Sequence, residues 1–427
     1  MMPQNDFHGL GIAPALLEIL KKNGFSTPTP IQARSIPVAI EGKDLIGIAQ
    51  TGTGKTLAFG IPMIQAALAG RKGFVVLPTR ELAIQVRDAL QAVATPLGIR
   101  TAILVGGEHM GRQVQALRRS PHIVVGTPGR IIDHLEHKTL SLGNVGVLVL
   151  DEADRMLDMG FAPQLKKILD VVPKQRQTML FSATMPPDIV AMAQGHMKLP
   201  MRVEIAPSGT AASKVTHELF FVHKLDKSRL LEKLLGEYRG SVLVFCRTKF
   251  GAKKIAAGTR SLGHTAAEIH SNRTLFQRRE ALEGFRNGKY RVLVATDIAA
   301  RGIDVKGIEL VMNYDLPQSP EDYIHRIGRT GRMGGVGHAI SFATPDQKGD
   351  VRDIERLMRA TLPLSKLPEL PPSRMSAAPV HGRPLPPRRP FARPAASPSY
   401  GQGKRFGASS RPFQKRNRFS GRGRWGK

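Results

Sequence analysis

Short apolar runs that recur between helix-patterned segments constrain this chain more than any other feature. "DLIGIA", "GFVVLP", "TAILVG", "HIVVGT", "VGVLVLD" and "QTMLFS" are each almost uninterrupted in hydrophobicity. Runs this short read as strands, and continuous apolarity means burial on both faces. The series breaks at "APSGTAAS", residues 206–213, a linker of small residues. It resumes with "HELFFV", "SVLVFC", "HTAAEIH", "RVLVAT", "LVMNYD" and "HAISF". Strands of this kind alternating with helices imply parallel sheets covered on each side, so the expected fold is α/β with two parallel-sheet domains in tandem. A length of 427 residues agrees, being too great for one ordinary core. In such sheets ligands gather beyond the carboxyl ends of the strands, so motifs there matter most.

Composition narrows the classes. Hydrophobic residues make up 41% of the chain, and no apolar run approaches the roughly 20 residues that span a bilayer, so no membrane association is expected. The opening "MMPQNDFHGL" lacks a basic stretch followed by an apolar one, the pattern of a secretory signal. The lone Cys246 leaves no internal disulfide and no Cys-rich zinc site. Ending "SVLVFC", it reads as a buried strand residue rather than a nucleophile, and a reducing, cytoplasmic setting is expected. A net charge of +29 calls for a polyanionic partner. Residues 365–427 hold 15 Lys and Arg against Glu369 alone. This stretch is rich in Pro, Arg, Gly and Ser and lacks apolar periodicity, so a disordered basic tail is expected. Phe391, Tyr400, Phe406, Phe413, Phe419 and Trp425 are interleaved with its arginines, a pairing suited to unpaired bases on a phosphate backbone. A purely solubilising tail is the plainer alternative.

"AQTGTGKT", residues 49–56, joins the run "DLIGIA" to a helical pattern and matches G-x-x-x-x-G-K-T except for Ala49 in the first place. Gly52 and Gly54, with Thr51 and Thr53 beside them, let backbone N–H groups turn inward around phosphates; Lys55 reaches the β and γ phosphates, and Thr56 suits Mg²⁺. "VGVLVLDEAD" supplies the complement, a buried strand ending in two carboxylates. Asp151 is suited to holding Mg²⁺ and Glu152 to orienting and deprotonating water, since phosphoryl transfer is mostly positioning and charge neutralisation. Upstream, "GFSTPTPIQ" contains Gln32, whose amide can donate and accept against the N7 and N6 edge of adenine. A proline-rich turn with a solvated Gln is the alternative, which spacing alone leaves open.

"YIHRIGRTGR", residues 323–332, crowds His325, Arg326, Arg329 and Arg332 at one helix end. Ser319, Pro320 and Asp322 are start signals for that helix and Gly328 its stop. Four such groups repel one another unless an anion sits among them.

Taken together, residues 7–345 resemble the DEAD-box RNA helicases of superfamily 2, with motifs in family order and a bacterial RhlE-like pattern. The resemblance implies that Gln32, Phe25 and Phe7 form the adenine-reading Q motif. It also implies that "DEAD" (151–154) and "SAT" (182–184) are paired motifs in which Asp154, Ser182 and Thr184 would couple nucleotide state to domain closure. "PTREL", Gly106–Gly107 and "TPGR" imply RNA-backbone contacts through Arg80, Thr127 and Arg130. In the second half, "VFCRTK" and "QRRE" imply further RNA contacts through Arg247, Thr248 and Gln277, with Arg278 or Arg279. "ATDIAARGID" implies Thr296 on RNA and Gly302 and Asp304 on nucleotide. Ser271 departs from the Gly usual after His270 in this family. Arg329 and Arg332 would then reach across a cleft to the γ-phosphate, with His325 facing the 151–154 loop. The anion among the cations is then ATP.

The resulting expectation is two tandem RecA-like domains, residues 1–205 and 214–364, flanking the linker 206–213 and followed by the tail 365–427. The chain would use ATP and Mg²⁺ to bind and locally unwind RNA, with ribosomal-precursor or RNA-decay machinery as candidate partners. A DNA-translocating helicase shares the two-domain plan, and an RNA chaperone acting through the tail would need none of Lys55, Asp151, Glu152, Arg329 and Arg332.

Overall fold

A computed structural model describes residues 6–50, 52–205, 215–300, 305, 307–331 and 337–372. The linker 206–213 and Thr51, Gly302, Asp304 and Arg332 fall outside the described residues, as does most of the expected tail. Thirteen strands are present among the described residues, in two sheets. The first sheet comprises β1 (Leu45–Ile48), β2 (Lys72–Val76), β3 (Thr101–Leu104), β4 (Ile123–Gly126), β5 (Val145–Asp151), β6 (Gln177–Ser182) and β7 (Met201–Glu204). The second comprises β8 (Val215–Phe221), β9 (Val242–Phe245), β10 (Ala266–Ile269), β11 (Val292–Ala295), β12 (Leu310–Asn313) and β13 (Gly337–Ala343).

The strand orders are β3-β4-β2-β5-β6-β1-β7 and β10-β11-β9-β12-β13-β8, and every pairing is parallel. Helices cover both faces, which is why each expected strand is apolar throughout. Phe59, Ile61, Val75, Val149 and Phe181 fill one side of the first sheet, and Phe74, Leu148, Leu150, Leu165 and Leu180 fill the other. Cys246 is a fully buried free thiol, its pKa pushed up to about 12 by burial, so it packs rather than reacts. No helix among the described residues is long and apolar enough to cross a membrane.

Two sequence expectations change. Strand β7 has no counterpart among the predicted runs because it is an edge strand whose only buried residue is Val203. The tail was expected from residue 365, yet the packed chain continues to residue 372. Leu219 donates its N–H to the Pro363 carbonyl at 2.9 Å and accepts from the Ser365 N–H at 2.9 Å, so this segment lies along β8, the edge of the second sheet. Arg229 then holds the Pro371 carbonyl at 2.6 Å. Prolines and a single bridge suit a covered edge and leave no periodic signal to read.

The topology brings the motifs together. β5, β6 and β1 are neighbours, so Asp151, Ser182 and the 49–56 loop emerge side by side at their carboxyl ends. In the second sheet β10, β11, β9 and β12 are neighbours, aligning the segments that begin at His270, Thr296, Cys246 and Tyr314.

Candidate nucleotide and RNA site

The 49–56 loop turns at Gly52 and Gly54, both left-handed with φ of 86° and 92°. Gly54 starts the helix Lys55–Leu68, and a Cβ there would meet the Gln32 amide nitrogen at 2.5 Å. Gln32 is buried: its Oε1 accepts from the Thr29 N–H at 2.9 Å and its Nε2 donates to the Gly54 carbonyl at 3.0 Å. It therefore caps the helix Pro30–Ile40 and ties that helix to the loop. Thr53 donates to the Gln50 carbonyl at 2.8 Å. Lys55 is 6% exposed, donates to the Ala49 carbonyl at 3.1 Å and stands 4.0 Å from Asp151 Oδ1. Thr56 occupies the next position in the same helical turn, half-buried. Phe25 is partly exposed at 40%, whereas Phe7 belongs to the hydrophobic core of the first domain at 4%.

The carboxylates of residues 151–154 are buried in three distinct settings. Burial raises the pKa of Asp151 to about 6, opposed by Lys55. Burial also acts on Glu152, but Arg155, Lys55 and Arg329 outweigh it and hold Glu152 below the usual carboxylate range. Its Oε2 accepts from Arg155 Nη1 at 2.9 Å. Asp154 is held down in the same way, with Lys55, His325 and Arg155 outweighing burial. Asp154 also clasps the turn that follows β6: Oδ2 accepts from the N–H groups of Ala183 and Thr184 at 3.1 and 2.9 Å and from the Thr184 hydroxyl at 2.9 Å. The Asp154 N–H in turn donates to Ser182 Oγ at 3.2 Å. The geometry thus joins Asp154, Ser182 and Thr184 in one network.

The second domain meets this loop from across a cleft. Helix Pro320–Ile327 starts where the sequence signals place it, with Ser319 Oγ accepting from the Asp322 N–H at 3.4 Å. His325 and Gly328 line a pocket together with Gln50, Ala183 and Thr184 of the first domain. Burial, then the nearby charge of Arg155, lowers the His325 pKa. Arg329 is 2% exposed and donates to the His325 carbonyl at 3.2 Å, close enough to Glu152 to depress that carboxyl. One member of the cation cluster, Arg326, has a counter-ion of its own. Arg326 is satisfied within its own domain by a two-pronged pair with Asp297 at 2.5 and 2.7 Å, plus Asn313 Oδ1 and the Asp315 carbonyl. A carboxylate answers this arginine, although it still lines a crevice between the domains together with Arg155, His325 and Arg329.

The candidate RNA residues divide by domain. The Arg80 guanidinium lies over Gly106 and Gly107, where an added Cβ would meet it at 2.8 and 2.5 Å. Burial and the nearby charge of Arg278 lower the Arg80 pKa. Arg130 donates to the Glu108 carbonyl at 3.1 Å, and Thr127 precedes the helix Pro128–Glu136. In the second domain Arg247 binds Asp315 through its N–H at 3.1 Å, and Thr248 caps the helix Lys249–Ser261. Gln277 completes a capping box with Thr274 on an exposed helix start, and Thr296 follows β11, half-buried. Arg279 is exposed, but Arg278 is buried and pairs with Glu81 of the first domain at 2.6 Å. Sequence reading did not single out Glu81 or Arg155. The available signal was an acidic residue inside the basic motif "PTREL" and a cation directly after "DEAD".

Comparison with known proteins decides the family. Residues 29–192 match the DEAD/DEAH box helicase family and residues 226–334 match the helicase conserved C-terminal domain. The chain belongs to the DEAD-box RNA helicases. It is 44% identical over 367 residues to the ATP-dependent rRNA helicase RRP3 of Debaryomyces hansenii, covering 85% of this chain and 77% of that one. It is 42% identical over 368 residues to the DEAD-box ATP-dependent RNA helicase CshA of Bacillus cereus, covering 85% and 70%. Among solved structures, Saccharomyces cerevisiae Dbp5 bound to RNA and ADP BeF3 aligns with a TM-score of 0.77 at 30% identity, over 85% of this chain and 96% of that one. A Dbp5 variant bound to a Gle1 variant and IP6 aligns with 0.67 at the same identity, over 85% and 95%. Both sheets are accordingly RecA-like domains, and the helicase is an ATP-dependent enzyme acting on RNA.

Proposed function

We propose that the two domains form a clamp in which ATP and RNA each bridge the cleft and each favour closure. The supporting observation is that the Glu152 and Asp154 carboxylates of one domain face His325 and Arg329 of the other, so neither domain alone carries the whole constellation. Lys55 and the loop Thr51, Gly52, Thr53 and Gly54 hold the β and γ phosphates, Gln32 and Phe25 read the base, and Arg329 with Arg332 neutralises charge on the γ-phosphate. Gly302 and Asp304 contribute from the second domain. The closer likeness to Dbp5 with RNA and ADP BeF3 than with Gle1 and IP6 supports reading this arrangement as the closed clamp.

Asp151 and Thr56 would hold Mg²⁺. The donors fit: a buried carboxylate that burial penalises gains from a cation, and among the described residues no cluster of three or more His, Cys, Asp or Glu exists to build an all-protein cage. Magnesium characteristically takes one or two carboxylates, substrate phosphates and waters. Its contribution is to neutralise phosphate charge. Glu152 orients the attacking water and accepts its proton.

Arg80, Gly106, Gly107, Thr127, Arg130, Arg247, Thr248, Gln277 and Thr296 line the RNA path, reading backbone and 2′-OH groups with little sequence preference. A strand bent through the closed clamp excludes its complement, which opens short duplexes. Hydrolysis and phosphate loss reset the clamp, and the coupling between RNA and ATP binding is reciprocal. The domain limits are best taken as residues 1–205 and 214–372, the second extended by the segment packed along β8, with a basic tail beyond that adds salt-sensitive RNA affinity. A cytoplasmic RhlE-like helicase serving ribosomal-precursor or RNA-decay machinery fits this reading. The deciding experiment is steady-state ATP hydrolysis alone, with single-stranded RNA, and with DNA of the same sequence. Stimulation by RNA alone is expected; equal stimulation by DNA overturns the 2′-OH reading, and no hydrolysis overturns the clamp.

A further inference from the structure

Arg155 lies directly beyond the 151–154 motif and is among the largest side chains the molecule buries, at 2% exposure. Burying a guanidinium is costly unless it is paired. Arg155 answers that cost with one ion pair inside its own domain, Nη1 to Glu152 Oε2 at 2.9 Å. The same side chain lines a crevice whose other walls, Phe245, Asp297, Asp322, His325, Arg326 and Arg329, all come from the second domain. Its position is therefore shared between the carboxylate proposed to aim the attacking water and the surface that arrives on closure.

Glu152 itself has a left-handed backbone, φ 52° and ψ 51°, which few non-glycine residues adopt without surroundings that hold them there. Its carboxylate direction then depends on its anchor. With the domains apart, the Arg155–Glu152 pair would face water, where such pairs contribute little and long side chains sample several rotamers. With the second domain seated over it, water is excluded and the same pair is stiff. The charge of Arg155 also reaches His325 across the cleft, so the guanidinium interacts with both sides.

We propose that Arg155 is a positioning residue that aligns the Glu152 carboxylate only when the second domain closes over it, making alignment of the attacking water a consequence of closure. This rests on the clamp reading above. The role is separable from closure itself, because Arg155 acts through Glu152 and an ion pair between the domains, Glu81 with Arg278, lies elsewhere.

The test uses the full chain with Arg155→Met and Arg155→Lys, at saturating RNA. Hydrolysis is followed against ATP concentration, and closure is followed by energy transfer between dyes on one introduced cysteine in each domain, with RNA and a non-hydrolysable ATP analogue. Arg155→Met should lower kcat by ~10–100-fold while KM for ATP stays within about twofold and closure persists. Arg155→Lys, which keeps the charge and one donor, should recover at least part of that loss. An unchanged kcat overturns the proposal, as does a loss matched by lost closure, or a Lys variant no better than Met. If Arg155→Met fails to fold, Arg155→Lys decides alone: a lower kcat with closure retained supports the proposal and wild-type kinetics overturn it. The wild-type response to RNA tests the clamp reading separately, since this inference is read from the ratio of variant to wild type.

Discussion

Glu152, Asp154 and Arg329 are only 2–3% exposed, and each is held by side-chain or backbone partners, whereas Gln277 and Arg279 stand open at the start of a helix in the second domain. The two halves of the clamp are thus built on opposite principles. In the proposed clamp, the groups facing the nucleotide lie in a dry network once the domains have closed, which suits developing phosphate charge. In the second domain, the groups proposed to face RNA include the helix caps Thr248 and Gln277 and the exposed cations Arg247 and Arg279, which suit a ligand recognised through its backbone and lose strength with salt. Arg278 belongs to neither set, since it is buried although it sits one residue from Gln277.

The sharpest way to break this contrast is Glu152→Gln. Turnover should fall by ~10²–10⁴-fold with RNA affinity and its salt slope unchanged, measured by coupled ATPase assay and fluorescence anisotropy. A matching loss of RNA affinity would mean the two halves are not separable. Next in size is Arg278→Ala, which leaves Glu81 buried without its partner. Removing one member of a buried pair costs about 3–5 kcal/mol, here charged to the closed arrangement. RNA should then lose most of its power to tighten ATP-analogue binding, while each domain keeps its own melting transition. Thr184→Val removes one of three bonds to Asp154 Oδ2, worth about 1 kcal/mol. It should weaken the coupling between hydrolysis and duplex opening several-fold, read as ATP consumed per strand released. The smallest effect belongs to Gln277→Ala: loss of a capping-box partner and one rim contact should cost about 0.5–1 kcal/mol of RNA affinity and leave unstimulated hydrolysis unchanged.

Much of this architecture is legible in the sequence because parallel strands buried on both faces must be apolar throughout. The six strands expected in the second half are the six observed, and the Ser319–Gly328 helix begins and ends at its own signals. Strand β7 escaped because an edge strand with one buried residue has no such signature. The sites divide similarly. A local sequence carries the 49–56 loop and the 151–154 carboxylates, but not which charge answers which. Arg326 looks like its neighbours until Asp297 is found beside it, and Glu81 is unremarkable until the fold brings Arg278 to it from 197 residues away. Pairings set by tertiary packing cannot be read from spacing. The burial of Phe7 is of the same kind: an aromatic near a nucleotide motif can support that motif from the core without facing the ligand.

The segment along β8 bears on how this helicase tolerates shortening. Strand β8 is the last of its sheet, and Pro363 and Ser365 engage the backbone of Leu219 on its outer side. A chain cut after the helix Lys348–Met358 would keep every strand but leave that row of backbone groups open, a ready template for pairing with another molecule. Trimming the basic tail from residue 373 onward should therefore give well-behaved protein, whereas trimming fourteen residues further should trade solubility for self-association without touching the nucleotide motifs.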